Sequence, residues 1–261
     1  MIDFWLSLGV VGFALASVVY WIALRVSLMS VVDLIWTAGL GMASLAYLLA
    51  SGLETTRAYA VALLILLWSF RLSYYLLTDR VLKGEEDPRY ANLASHWGKH
   101  STRNFYFLFL IQVVFVALFL WPVSIAMSAN ADGWLWTDWL AVAIALVAFT
   151  GESIADRQLA AFRADASNRG AVCRSGLWRY SRHPNYFFEW LHWWAYVAFA
   201  WSSSSWWVVL LGPVAMYILL RYLTGIPHAE RSSLKSRGEA YRNYQRTTNA
   251  FFLWIPHKPQ S

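Results

Sequence analysis

The chain has 261 residues, of which 59% are hydrophobic and only 14% charged. Soluble domains carry nearer a quarter charged residues, so this composition excludes an ordinary water-soluble globule. The net charge of +6 would suit nucleic acid, yet a basic nucleic-acid module does not also carry several apolar runs of about 20 residues, so cationic membrane loops account for the charge.

In chain order, apolar runs fall near 4–24, 29–50, 58–79, 104–128, 134–156, 185–201 and 204–224. The first, from Phe4 to Leu24, follows no basic leader and is long enough to stay as a spanning helix. Ser202 to Ser205 separate the last two, as a tight turn or as part of one bent element. The segments 80–103, 157–184 and 225–261 are polar, and no internal repeat appears. These runs predict an all-α integral membrane protein, a bundle of about seven transmembrane helices in a single domain over 1–261. Seventeen Trp residues fit such a chain, because an indole suits the membrane interface. The lone Cys173 excludes an internal disulfide and a Cys-based zinc cage, and no metal site is expected.

Nineteen of the 21 Lys and Arg residues then fall on one side, leaving Arg57 outside and Arg71 within a span. The positive-inside rule predicts an outside N-terminus and a cytoplasmic C-terminus.

Asp33, Arg71, Asp79, Glu152, Asp156, Glu189 and His192 lie within or beside the apolar runs. Arg71, Tyr75 and Asp79 recur every four residues, as do Glu152 and Asp156; Asn185, Glu189 and His192 share a face in the same way. A charge near the bilayer centre costs at least roughly 2.5–3.5 kcal/mol, so these stripes are expected to face a polar cavity. Interhelical hydrogen bonding is the plainer alternative.

The most distinctive stretch is Gly176-Leu177-Trp178-Arg179-Tyr180-Ser181-Arg182-His183-Pro184-Asn185-Tyr186-Phe187-Phe188-Glu189-Trp190. Pro184 can open a helix, and its N-terminal amides together with Arg179, Arg182 and His183 suit a phosphate. Asn185 donates and accepts while Glu189 accepts, a pair that matches a carboxamide. Arg80 and Arg174 are further phosphate candidates.

This stretch resembles the membrane-bound steroid 5α-reductase superfamily, in particular its bacterial branch known as a domain of unknown function. The resemblance also takes in Val32 to Trp36, Arg71 to Arg80, Gly84 to Tyr90, Asp156 with Arg163, Pro227 to Arg231 and Tyr241 to Phe251. It implies a cytoplasm-facing NADPH pocket in a bacterial inner membrane, with Asn185 and Glu189 near the nicotinamide and His192 among the cofactor-binding residues. Arg71, Tyr75, Asp156, Arg163, Glu230, Arg231 and Tyr244 match its cofactor-contacting positions. Arginines that can read a 2′-phosphate favour NADPH over NADH, and no Gly-x-Gly-x-x-Gly fingerprint indicates a Rossmann site.

Steroid reductases use a Glu in the second span and a Tyr in the third to polarise an enone. By that resemblance the Glu position falls near Asp33, which could instead pair with Arg71 or cap its helix. The Tyr position falls on Trp68, whose indole donates but is no phenolic acid. Tyr74 is then a further proton source. The implied activity is hydride transfer from NADPH to an activated carbon–carbon double bond of a lipid-like partner, steroid-like or isoprenoid, amid membrane lipids and without nucleic acid. The alternative is an S-adenosylmethionine-dependent methyltransferase of the isoprenylcysteine or phospholipid type, which also carries an Arg-His-Pro-x-Tyr stretch.

Overall fold

The computed structural model describes residues 1–129 and 133–257, without the side chains of Asp79 and Arg80. Asn130, in the loop before the fifth apolar run, and Lys258, in the basic tail, lie outside the described residues. Among those residues the chain is all helical, with no strand. The helices are α1 (Ile2–Val26), α2 (Val32–Ser51), α3 (Thr56–Leu76), α4 (Pro88–Trp97), α5 (Ser101–Ser128), α6 (Trp136–Ala164), α7 (Pro184–Phe199), α8 (Trp206–Val209), α9 (Leu211–Ile218) and α10 (Ile226–Thr247). Each expected apolar run is therefore helical, and the chain is a membrane protein. Six helical stretches are long and apolar enough to cross a bilayer: Ile2–Val26, Met29–Ser51, Thr56–Leu76, Pro88–Ser128, Trp136–Ala164 and Trp206–Thr247. The expected run 185–201 falls on α7, which has 16 residues. At 1.5 Å per residue it reaches about 24 Å, short of a hydrocarbon core of about 30 Å. In the last stretch the apolar part ends near Leu223, and α10 is mostly polar, burying Ile226, Tyr241 and Tyr244.

The helices gather into two compact units, Met1–Gly133 with Phe199–Val209, and Trp134–Ala198 with the chain from Leu210 onward.

In the first unit α2 and α3 approach closely because Gly41 has no side chain. A Cβ there would lie 2.3 Å from Ser69 Oγ. Ser69 and Ser73 donate across the same seam to Thr37 O (2.7 Å) and Thr37 Oγ1 (2.9 Å). Small residues and hydroxyls of this kind let spanning helices pack without a hydrophobic drive between them. Trp36 meets Trp68 and Phe119 edge-on, at 5.2 and 5.7 Å. Arg57, the arginine expected outside, is buried and donates to Ala129 O at 2.8 Å and Gly133 O. It thereby satisfies carbonyls just past the C-terminus of α5, where a cation is favoured by the helix dipole.

In the second unit α6 and α7 run antiparallel. A Cβ on Gly151 would come within 2.3 Å of the Phe188 ring, and Phe149 meets His192 edge-on at 5.2 Å. Trp193 packs against Gly212, and Trp190 Nε1 donates to Pro213 O at 3.1 Å, which ties α7 to α9.

Candidate functional site

Residues 165–183 join α6 to α7, and hydrogen bonds fix this loop at several points. Asp165 accepts from the amide and hydroxyl of Ser167, at 2.9 and 2.7 Å, which turns the chain out of α6. Those bonds hold the Asp165 carboxyl below its usual range. Gly176 adopts φ 57°, and a Cβ there would lie 2.3 Å from Gln158 Nε2, so the position requires glycine on both counts. Gln158 Oε1 accepts the Leu177 amide at 2.9 Å, and buried Trp178 donates its indole N–H to Ala155 O at 2.9 Å. The first half of the motif thus lies along the last turns of α6.

The second half is bound to the C-terminal segment. Arg182, 9% exposed, donates from Nε to Glu230 Oε1 at 2.6 Å and forms an ion pair with it through Nη2. Its Nη1 donates to Gln245 O at 3.1 Å and to Thr248 O, while its amide donates to Asn249 O at 2.9 Å. Ser181 Oγ donates to Phe251 O at 2.9 Å, and Tyr244 OH donates to Trp178 O and Ser181 O. Glu230 also accepts from Gln245 Nε2 at 2.9 Å and lies 3.5 Å from His183 Nε2. Burial alone would raise the Glu230 carboxyl, but the nearby His183 ring and the Arg182 guanidinium hold it at about 2. Burial lowers His183, with the Arg182 and Arg221 charges adding to it against the pull of Glu230. Arg182, Glu230 and Tyr244 therefore act as a clamp between loop and tail. That geometry corrects the expected phosphate role of Arg182, whose Nε, Nη1 and Nη2 all face protein acceptors.

Pro184 opens α7 as expected. Asn185 stands in its first turn, and its Oδ1 is buried with no hydrogen-bond partner among the described residues. Glu189 and His192 follow on the same face, both buried, and His192 Nε2 shares a 2.6 Å hydrogen bond with Tyr196 OH. Sequence reasoning stopped this stripe at His192. The spacing from Asn185 through Glu189 and His192 runs on to Tyr196, which could have been read from the same periodicity.

An open cleft of ≈ 320 Å³ sits at the end of α6, and Arg163, Arg169 and Arg237 line it together with Asp165 and Asn168. The guanidinium groups of Arg163 and Arg169 line this cleft, and the Arg169 amide donates to Ala166 O at 3.2 Å. Arg237 Nε donates to Ala171 O at 2.8 Å and Nη1 to Ser233 Oγ at 3.2 Å. Asp156 lies two turns before Arg163 on the same helix. Arg179 and Arg231 are exposed; so is Arg174, whose Nη2 donates to Ala240 O at 2.8 Å and whose guanidinium lies over the Tyr244 ring at 5.2 Å. Arg169 and Arg237 were missed as site residues because a cleft between a loop and α10 leaves no spacing signal.

The remaining expected residues belong to the first unit. Asp33 Oδ2 accepts from Arg89 Nη2 at 2.8 Å, and Oδ1 accepts from Tyr90 OH at 2.6 Å. Asp87 holds Arg89 as well, and Glu86 accepts the amides of Met29 and Ser30 at the start of α2. Asp33 thus joins α2 to α4, pairing with Arg89 where the sequence offered Arg71 as its partner. Trp68 is fully buried, whereas Tyr74 is 60% exposed and stacked on Phe70. Six residues apart on one helix, they point about 120° from each other, so they do not meet at one place. Arg71 and Tyr75 sit half-buried one turn apart on α3. The Arg80 side chain lies outside the described residues.

Residues 19–248 match a family model described as a protein of unknown function (DUF1295), a family in the steroid 5α-reductase-like group. An uncharacterized protein of Schizosaccharomyces pombe is 27% identical over 274 residues, which cover 92% of this chain and 77% of that protein. No solved structure matches. Since the match runs from within α1 to just past α10, the chain belongs to the DUF1295 family.

Proposed function

We propose that the chain is an NADPH-dependent membrane reductase. In this reading it reduces an activated carbon–carbon double bond of a lipid-like molecule, with its basic loops in the cytoplasm and, in a bacterial host, in the inner membrane. The observation that carries the reading is the amide oxygen of Asn185, buried without a hydrogen-bond partner among the described residues at the mouth of α7. A buried polar atom left unmatched costs about 1–3 kcal/mol, so a ligand N–H is the natural complement. Asn185 and Glu189 fit a nicotinamide carboxamide, which needs a donor and an acceptor side by side. The arginine cleft at the end of α6 supplies cations of the kind that a 2′-phosphate takes, and Arg163 and Arg169 have donors to give. Reduced nicotinamide, when bound, would supply a hydride. On the protein side, Asn185 and Glu189 orient the carboxamide, and Arg163 and Arg169 set the preference for the phosphorylated dinucleotide. In this reading Asp33 ties α2 to α4 through Arg89 and Tyr90.

Equilibrium binding of NADPH and NADH to purified protein tests this assignment. Arg163→Ala with Arg169→Ala should weaken NADPH about ten- to a hundredfold, the loss of a charge-assisted bond, while NADH changes little. Asn185→Leu should weaken both dinucleotides. Unchanged affinities in these folded variants would remove the reading.

A further inference from the structure

The C-terminal segment after α10 is a strap whose backbone is held and whose outer side chains are not. Its amides and carbonyls engage the loop: Arg182 N donates to Asn249 O, Ser181 Oγ to Phe251 O, and Trp254 N to Tyr180 O at 2.9 Å. His257 N turns back onto Thr247 O at 2.8 Å. Phe251 points inward and is 1% exposed, packed on Phe187, Trp190 and Tyr217. Phe252 rests on the same three rings yet stays 42% exposed, and beyond it Trp254 is 65% and Ile255 75% exposed. Three large apolar side chains exposed within four residues, on a backbone too well bonded to turn them inward, call for an apolar partner.

The last span identifies that partner. Tyr217 of α9 stacks on Phe252 at 6.1 Å and contacts Tyr222 at 6.0 Å, so the strap continues the outer face of that helix. Along this face Val214, Ile218 and Tyr222 recur every four residues and are all exposed. Such a face in a membrane protein meets lipid. Where it ends, guanidinium groups begin: Arg221 lies over the Tyr222 ring at 5.1 Å, and Arg179 over the Tyr180 ring at 6.0 Å. Aromatic rings backed by arginines match the layer where acyl chains give way to anionic headgroups.

We propose that the strap is a membrane-docking element: Phe252, Trp254 and Ile255 enter the lipid interface beside the last span and seat the 176–183 loop against the membrane surface. Because that loop leads directly into Asn185, the bilayer then becomes part of what holds the candidate site in shape. The inference stands on the strap and the last span alone and does not depend on the bound cofactor.

Cys173 is the only cysteine, and it is buried, so a Cys173→Ala background allows single spin labels. Labels at Trp254→Cys and Ile255→Cys, in protein reconstituted into phosphatidylcholine–phosphatidylglycerol vesicles, report collisions with oxygen, which concentrates in lipid, and with a water-soluble nickel chelate. Val214→Cys marks the lipid-facing span, and Lys235→Cys marks the exposed surface of α10. The expected result is an oxygen-to-nickel ratio several-fold above that of Lys235 at both strap positions, nearer to Val214. Ratios nearer to Lys235 at both positions would overturn the proposal. Two strap positions keep the test valid if one label disturbs its own site.

Discussion

Replacing Arg182 separates a structural clamp from a phosphate ligand. Arg182→Ala removes the ion pair to Glu230 together with the bonds to Gln245 O and Thr248 O, and it leaves a half-buried carboxylate facing His183. Breaking one side of a buried pair costs about 3–5 kcal/mol; Glu230 keeps some contact with solvent, so the lower end applies. For a chain of this size about 3 kcal/mol corresponds to a fall of roughly 6–12 °C in apparent Tm. Thermal unfolding in detergent micelles would report it, and limited proteolysis should show the tail after Thr247 becoming cleavable. Arg182→Lys keeps the charge but loses the fork, so it should fall between wild type and Arg182→Ala. The double variant Arg182→Ala, Glu230→Ala should recover part of the loss, because no carboxylate is then stranded. An Arg182→Ala protein with wild-type Tm and a protected tail, but weakened NADPH binding, would refute the clamp and restore the phosphate role.

Acidification should loosen the same clamp. His183 is lowered below its ordinary value of 6.5, and Glu230 is held at about 2, so in both cases the unfolded chain binds the proton more readily. Their contribution is complete above pH 6.5; the His183 part is lost below that, and the Glu230 part fades from about 4.5 toward 2, worth on the order of 1 kcal/mol after solvent screening. Tail protection measured between pH 7 and pH 4 should fall, and Glu230→Gln should flatten the lower part of the curve; a flat wild-type profile would contradict it. Gly151→Val should lower stability by about 2–3 kcal/mol through overpacking, since even a Cβ would lie 2.3 Å from the Phe188 ring. Should its unfolding match wild type, α6 and α7 do not pack at this glycine. Asp33→Asn should lower thermal stability by about 2 kcal/mol through the Arg89 pair, with NADPH affinity unchanged. Normal stability with lost turnover would return Asp33 to a catalytic role.

The spans were legible because apolar runs and helical periodicity are local signals: α1, α2, α3 and α5 through α9 fall on the runs read from the sequence, while α4 lies in the polar segment 80–103. The start of α7 at Pro184 and the polar face through Asn185, Glu189 and His192 were legible for the same reason. What stayed hidden were pairings across long separations. Glu230 lies 48 residues from Arg182, and Arg89 lies 56 from Asp33, and no spacing rule connects them. Asp33 stood out as a charge beside an apolar run and Arg182 as part of the motif, but a charge in a motif looks alike whether it binds a cofactor or holds the fold. Arg57 illustrates this most simply. It is the exception to the charge asymmetry, and only its contacts with Ala129 O and Gly133 O show that it is there to cap a helix end.

The central claim is the cofactor, and a ligand-stabilisation scan of the purified wild-type protein tests it most directly. Thermal unfolding would be followed with NADPH, NADH and S-adenosylmethionine, each over a range reaching a hundredfold excess over its Kd, where a specific ligand stabilises by about 2.7 kcal/mol. The account predicts a saturable rise in Tm with NADPH, a smaller one with NADH, and none with S-adenosylmethionine. A rise with S-adenosylmethionine and none with either dinucleotide would contradict it.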